Sequence, residues 1–161
     1  MTIDVAGIQR LIPHRYPMLL VDRVVEVLPG VSLLAVKAVT ANEPWYADGP
    51  PYRDDYAYPP ELVLESWCQA AGVLVSLDRP NPDVRTARVT LFGAVTGVHF
   101  TGSVFPGDVL RHRVRLLRAV SDGAVFEGES GTDRGEVLRV ERVVVALRPV
   151  PASGLAFAST G

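Results

Sequence analysis

The sequence predicts an α+β fold in which one antiparallel sheet wraps around a single long buried helix, and two observations carry that expectation. The first is the stretch from Tyr58 to Asp78. It opens on Pro59-Pro60 and is apolar almost all the way round, its only polar side chains between Leu62 and Leu77 being Glu65, Ser66, Gln69 and Ser76. A helix that lies on a surface gives a whole face to charge, so this one is buried. Proline suits a first helical turn, where its missing N–H has no intrahelical partner to lose. The second observation is the order of the remaining runs. Strand-like segments follow this helix, separated by turn residues at Gly97, Pro106-Gly107, Asp122-Gly123 and Asp133-Arg-Gly135. Strands grouped after one helix pair antiparallel rather than in a doubly wound parallel sheet.

Taken in order, apolar Ile3, Val5, Ile8 and Leu11 predict a short amphipathic helix that Pro13 ends. Met18 to Leu28, closed by Pro29-Gly30, predicts a strand, and Ser32 to Thr40 the strand that returns from the turn. Residues 41–58 form a loop rich in proline, tyrosine and aspartate. The central helix spans Pro60 to Asp78. After the loop Arg79-Pro-Asn-Pro-Asp83, strands are expected over Arg88 to Val95, Asp108 to Val120, Gly123 to Thr132 and Val137 to Leu147. Residues 1–150 read as one domain and residues 151–161 as a flexible tail, small and polar in composition. A sheet curled around one apolar helix is the hot-dog architecture. Its edge strand invites edge-to-edge pairing into a dimer.

Composition narrows the function classes. The 161 residues carry a net charge of −2, and the isoelectric point near 5.9 leaves no basic footprint for nucleic acid. One cysteine, Cys68, excludes an internal disulfide and a cysteine-rich zinc site, and with it goes the expectation of a reducing, cytoplasmic setting. The first residues lack a basic segment followed by an apolar run, and no stretch is long enough to span a bilayer, so no membrane is expected. Glu65 is then the odd residue. A carboxylate in so apolar a helix is paired, neutralised, or turned toward a functional cavity. His112 alternates with Leu110, Val114 and Leu116 and reads as a core histidine. Cys68 reads as a small core residue, with no basic neighbour in sequence to lower its pKa.

Four motifs carry a resemblance: Leu11-Ile-Pro-His-Arg-Tyr-Pro-Met-Leu-Leu-Val-Asp-Arg-Val24, Asn42-Glu-Pro44, Leu62-Val-Leu-Glu-Ser-Trp-Cys-Gln-Ala-Ala-Gly72, and Phe105-Pro-Gly-Asp-Val-Leu-Arg111. In this order and spacing, over nearly the whole chain to about residue 148, the sequence resembles the FabZ-type β-hydroxyacyl-acyl-carrier-protein dehydratases, which have a hot-dog fold. The resemblance implies loss of water from a (3R)-hydroxyacyl thioester on acyl-phosphopantetheine, presented by an acyl carrier protein in fatty acid or polyketide biosynthesis. No cofactor and no metal are implied. In that family a loop histidine of one subunit works with a glutamate on the central helix of the other, and a glycine amide at the helix start holds the thioester carbonyl. Removing an α-proton needs a base, expelling hydroxide needs an acid, and the developing enolate needs a donor.

Glu65 stands at the position of the family's glutamate. The loop Trp45 to Ala57 contains no histidine, and Pro60 replaces the glycine, so that position has no N–H to donate. The candidate catalytic residues are therefore Glu65 and, as a replacement base beside the segment that lines the family's acyl tunnel, His99. Tyr58, Pro60, Gln69 and Phe100 are the expected substrate-binding residues. His14, in a turn that the family keeps without catalysing through it, reads as structural. Tyr46, Tyr52, Tyr56 and Tyr58 read as loop anchors or as donors to substrate oxygen, and Arg111, Arg113 and Arg115 as a solvated strand face or a surface for the acidic carrier protein. The altered loop on an intact scaffold implies a changed role: the glutamate-bearing partner in a heterodimer with a FabZ-like paralogue, a homodimer with altered chemistry, or a non-catalytic acyl-binding subunit.

Overall fold

The computed structural model describes residues 1–47, 55–83 and 88–149. Helix α1 (Val5–Leu11) is opened by Asp4, whose carboxylate accepts from the Gly7 N–H at 2.8 Å and so satisfies one of the first-turn donors. Strands β1 (Arg23–Leu28) and β2 (Ser32–Ala38) follow, then a 3-10 turn at Pro44–Tyr46, the central helix α2 (Pro60–Ser76), and strands β3 (Arg88–Phe100), β4 (Val109–Val120), β5 (Gly123–Thr132) and β6 (Gly135–Pro149). All five strand pairings are antiparallel, and the sheet runs β1-β2-β4-β5-β6-β3. Its concave side holds α2, which packs on β4, β2 and β5. This is the single α+β hot-dog fold expected from the sequence. No helix among the described residues is long and apolar enough to cross a membrane.

Helix α2 buries Val63, Trp67, Ala70, Ala71, Val73 and Leu74 against the inner face of the sheet, where Leu110, Phe126, Leu138 and Val143 meet them. Leu62, Leu64, Glu65 and Val75 are half-buried and form the helix's remaining stripe. The helix stops at Ser76, two residues before the expected Asp78, with Leu77 as its last helical cap.

Two strand boundaries differ more, each for a visible reason. Met18 to Val21 are not paired as β1, because the side chain of Gln69 takes hydrogen bonds a neighbouring strand would supply: its amide accepts from the Leu20 N–H at 2.9 Å and donates to the Met18 carbonyl at 2.7 Å. Pairing with β2 begins only at Asp22, whose N–H donates to the Val36 carbonyl at 3.0 Å. Gly97 does not end a strand as its turn chemistry suggests. β3 runs through it to Phe100, with Gly97 at φ +63° and the Glu141 side chain lying where a β-carbon would stand. The expected tail, residues 151–161, lies outside the described residues, as does the stretch 48–54 of the altered loop.

The sheet and α2 are also tied by a polar string inside the core. Ser66 Oγ lies 2.8 Å from His112 Nε2, and His112 Nδ1 lies 2.7 Å from Ser130 Oγ. All three residues are fully buried. A neutral imidazole can donate to one serine and accept from the other, so it is satisfied without charge. Burial, aided by the nearby Lys37 ammonium, pushes the His112 pKa down to about 3. The unfolded chain takes up this proton near pH 6.5 while the folded chain does not, so stability is whole above that pH and falls as pH drops toward 3. About 2 kcal/mol is expected to go between pH 6.5 and 5 from this residue alone. Urea denaturation of the wild type and of His112→Asn at both pH values checks this, the variant losing the smaller amount. Equal losses would remove His112 from the account.

Candidate active site

Glu65 sits in the second turn of α2 with its carboxylate half-exposed, and two side chains converge on it. Gln69, one helical turn on, donates from Nε2 to Glu65 Oε1 at 2.9 Å. Its other N–H goes to Met18 and its carbonyl oxygen to Leu20, so the amide is committed to three partners and is only 2 % exposed. Gln69 therefore has no free polar group to present to the surface. From the other side His14 brings Nε2 to 3.5 Å from the same Oε1. The turn that carries His14 is held by Arg15, whose guanidinium donates to the carbonyls of Ile12, His14 and Gln9 at 2.7 to 2.9 Å. Burial lowers the His14 pKa below the ordinary histidine value, the Glu65 charge working against that shift and Arg15 with it. Its Nδ1 is buried without a hydrogen-bond partner among the described residues. The result is an imidazole, a carboxylate and a carboxamide in one line, with Oε1 of the carboxylate engaged.

The nearness of His14 to Glu65 is what sequence reasoning does not foresee. His14 reads as part of a structural turn, and 51 positions separate it from Glu65 in the chain. Only the path of residues 12–20 across α2, set by the Gln69 bracket, brings the two together. His99 is elsewhere: its Nε2 lies 3.2 Å from Glu141 Oε1, with both side chains more than half exposed near the end of edge strand β3. Phe100, the last residue of β3, and Pro60, the first of α2, are exposed.

Tyr58 is enclosed, its ring edge-on to Trp45 at 5.4 Å and beneath the Lys37 ammonium at 5.5 Å. Its hydroxyl has no hydrogen-bond partner among the described residues, and burial with the nearby Glu43 charge raises its pKa. The Asn42-Glu-Pro44 motif gains a physical reason here, since Glu43 neutralises nearly buried Lys37 at 2.9 Å. Tyr46 donates to the Tyr56 carbonyl at 3.0 Å as a loop anchor, and Tyr52 lies outside the described residues. Cys68 is core, its pKa pushed up to about 12 by burial and by the Glu65 charge. The arginine ladder is a solvated strand face. Arg111 pairs with Asp133, Arg113 with Glu129 and Arg115 with Glu127, so each of the three guanidinium groups faces an acid. Among the described residues no three His, Cys, Asp or Glu side chains are grouped to hold a metal ion.

With this geometry in hand, comparison with known proteins places it. Residues 12–141 match the family model described as a FabA-like domain. The 3-hydroxyacyl-[acyl-carrier-protein] dehydratase FabZ of Acidiphilium cryptum is 40% identical over 145 residues, which cover 90% of this chain and 81% of that protein. The protein of the same name from Granulibacter bethesdensis is 38% identical over 150 residues, 93% of this chain and 86% of that one. Among solved structures, the dehydratase heterocomplex ApeI:P from Xenorhabdus doucetiae shares the fold with a TM-score of 0.71 at 20% identity, over 92% of this chain and 93% of that one.

Proposed function

Because this chain belongs to the FabA-like family, we propose that it is the glutamate-bearing subunit of a heteromeric dehydratase, completed by a FabZ-like paralogue that supplies the loop histidine. The substrate is a (3R)-hydroxyacyl thioester on the phosphopantetheine of a cytoplasmic acyl carrier protein, in fatty acid or polyketide biosynthesis, and the product is the trans-2-enoyl thioester. The observation that carries this reading is a half-exposed carboxylate, Glu65, held by its own chain at the family's catalytic position while no histidine lies between Asn42 and Pro59. In the reaction the partner's imidazole takes the α-proton. Glu65 gives a proton to the 3-hydroxyl, which leaves as water as the C2–C3 double bond forms.

The fold admits such pairing. Edge strand β3 is 13 residues long and is bonded within the sheet only to β6, so its outer edge is open to a second sheet in a homodimer or heterodimer. A dehydratase that is itself a heterocomplex is among the proteins of this fold. Exposed Pro60 and Phe100 are assigned to the substrate's approach, Tyr58 and Gln69 to the packing behind it.

The test is mass spectrometry of a 3-hydroxyacyl carrier protein incubated with the purified chain alone and with a FabZ-family protein whose loop histidine is present and whose helix glutamate is changed to glutamine. Loss of water only in the mixture is the expected result. Dehydration by the chain alone would replace this reading by that of a homodimer with altered chemistry, in which His99 or a tyrosine is the base. Carrier-protein binding without dehydration in any mixture would mark an acyl-binding subunit.

A further inference from the structure

We propose that His14 is a positioning residue for Glu65: its Nε2 and the Gln69 amide bear on the same carboxylate oxygen, Oε1, and so turn Oε2 toward the reacting atoms. The inference rests on the reading of Glu65 given above and adds to it a residue that the family resemblance treats as part of a turn. Three observations carry it. The Gln69 amide and His14 Nε2 approach Oε1 at 2.9 and 3.5 Å, from α2 and from the segment before β1, while Oε2 has no hydrogen-bond partner among the described residues. Neither neighbour is free to turn away. Gln69 is locked by Met18 and Leu20, and the backbone of the His14 turn by the three carbonyls that Arg15 gathers.

The third observation is the bare Nδ1 of His14. A neutral imidazole carries one N–H, and facing a carboxylate it carries that hydrogen on Nε2, which leaves Nδ1 as a buried acceptor with no donor among the described residues. A buried polar atom without a partner costs free energy that a simple apolar residue in this turn would not. The chain tolerates that cost where the opposite nitrogen meets Glu65. A carboxylate so clamped at one oxygen presents the other in a fixed direction, and fixed direction is what proton transfer to a leaving hydroxyl requires, since a misplacement of about 1 Å can cost 10²-fold in rate.

The experiment uses the assembly that dehydrates, whether the chain alone or the chain with its histidine-bearing partner, and a 3-hydroxyacyl carrier protein as substrate. His14→Leu is expected to lower kcat by about 10²-fold with KM little changed. His14→Gln, whose amide N–H can reach Oε1, is expected to keep most of the rate. In a Glu65→Gln background His14→Leu is expected to cost nothing further, because the group it aims is gone. Should His14→Leu fail to fold, His14→Asn, whose amide is too short to reach, takes its place. An unchanged kcat in these variants, or the same loss with and without Glu65, overturns the inference and leaves the reading of Glu65 standing. If Glu65→Gln itself leaves the rate unchanged, or no assembly dehydrates the substrate, the reading falls and the inference with it.

Discussion

Glu65→Gln is expected to lower the rate of dehydration by about 10²- to 10⁴-fold while leaving the fold intact. The replacement is nearly isosteric. Its amide oxygen can stand where Oε1 stands and still accept from Gln69, so the bracket that holds residues 18–20 to α2 survives. What is lost is the proton that a carboxyl can exchange and an amide cannot. The signature is therefore a collapse of kcat with an unchanged melting temperature and an unchanged circular dichroism spectrum. If dehydration proceeds at the wild-type rate, the role given to Glu65 is wrong, whatever the partner. If the rate and the melting temperature fall together, the residue is structural.

Trp67→Ala is expected to cost about 3 to 5 kcal/mol of stability, with a fall in Tm on the order of 10 °C. Trp67 is fully buried at the centre of α2 and is among the largest buried side chains of the core. Its indole N–H donates to the Arg113 carbonyl at 2.9 Å, so truncation leaves both a cavity and an unpaired acceptor. The surroundings are poorly placed to collapse into the gap. Gly128 on β5 already approaches so closely that a β-carbon there would strike the Arg113 carbonyl and crowd the Trp67 indole nitrogen. Calorimetry on the purified variant measures the effect. A loss below about 1 kcal/mol would mean that the helix is not seated as described.

Much of this architecture is written locally in the chain. Pro59-Pro60 and the unbroken apolar run after it announce α2 and its burial, and Pro29-Gly30, Asp122-Gly123 and Gly135 announce hairpins that the sheet then makes. His112 shows its burial by alternating with Leu110 and Val114. What the chain conceals is tertiary. Nothing near Met18 says that a glutamine 51 residues away will take over its strand hydrogen bonds, and for the same reason nothing near His14 says that Glu65 will lie beside it. Gly97 misleads in the opposite sense, since a residue that usually turns a chain here makes room for Glu141 inside a strand. Arg111, Arg113 and Arg115 of β4 look like a basic stripe until β5 and the turn after it bring an acid to each of the three.

The placement of the two tryptophans gives the molecule its own spectroscopic probes. Trp67, sealed from water, emits as an indole in an apolar solvent would, and its red shift on denaturation follows the core. Trp45 is half-buried at the start of the loop that lacks the histidine, edge-on to Tyr58 and with its indole N–H unbonded among the described residues. An acyl thioester or a partner subunit that settles on this loop changes the surroundings of one fluorophore and leaves the other dark to the event. Trp67→Phe removes the folding reporter and leaves Trp45 as the reporter of events at the loop, so comparison with the wild type separates binding from folding without a label.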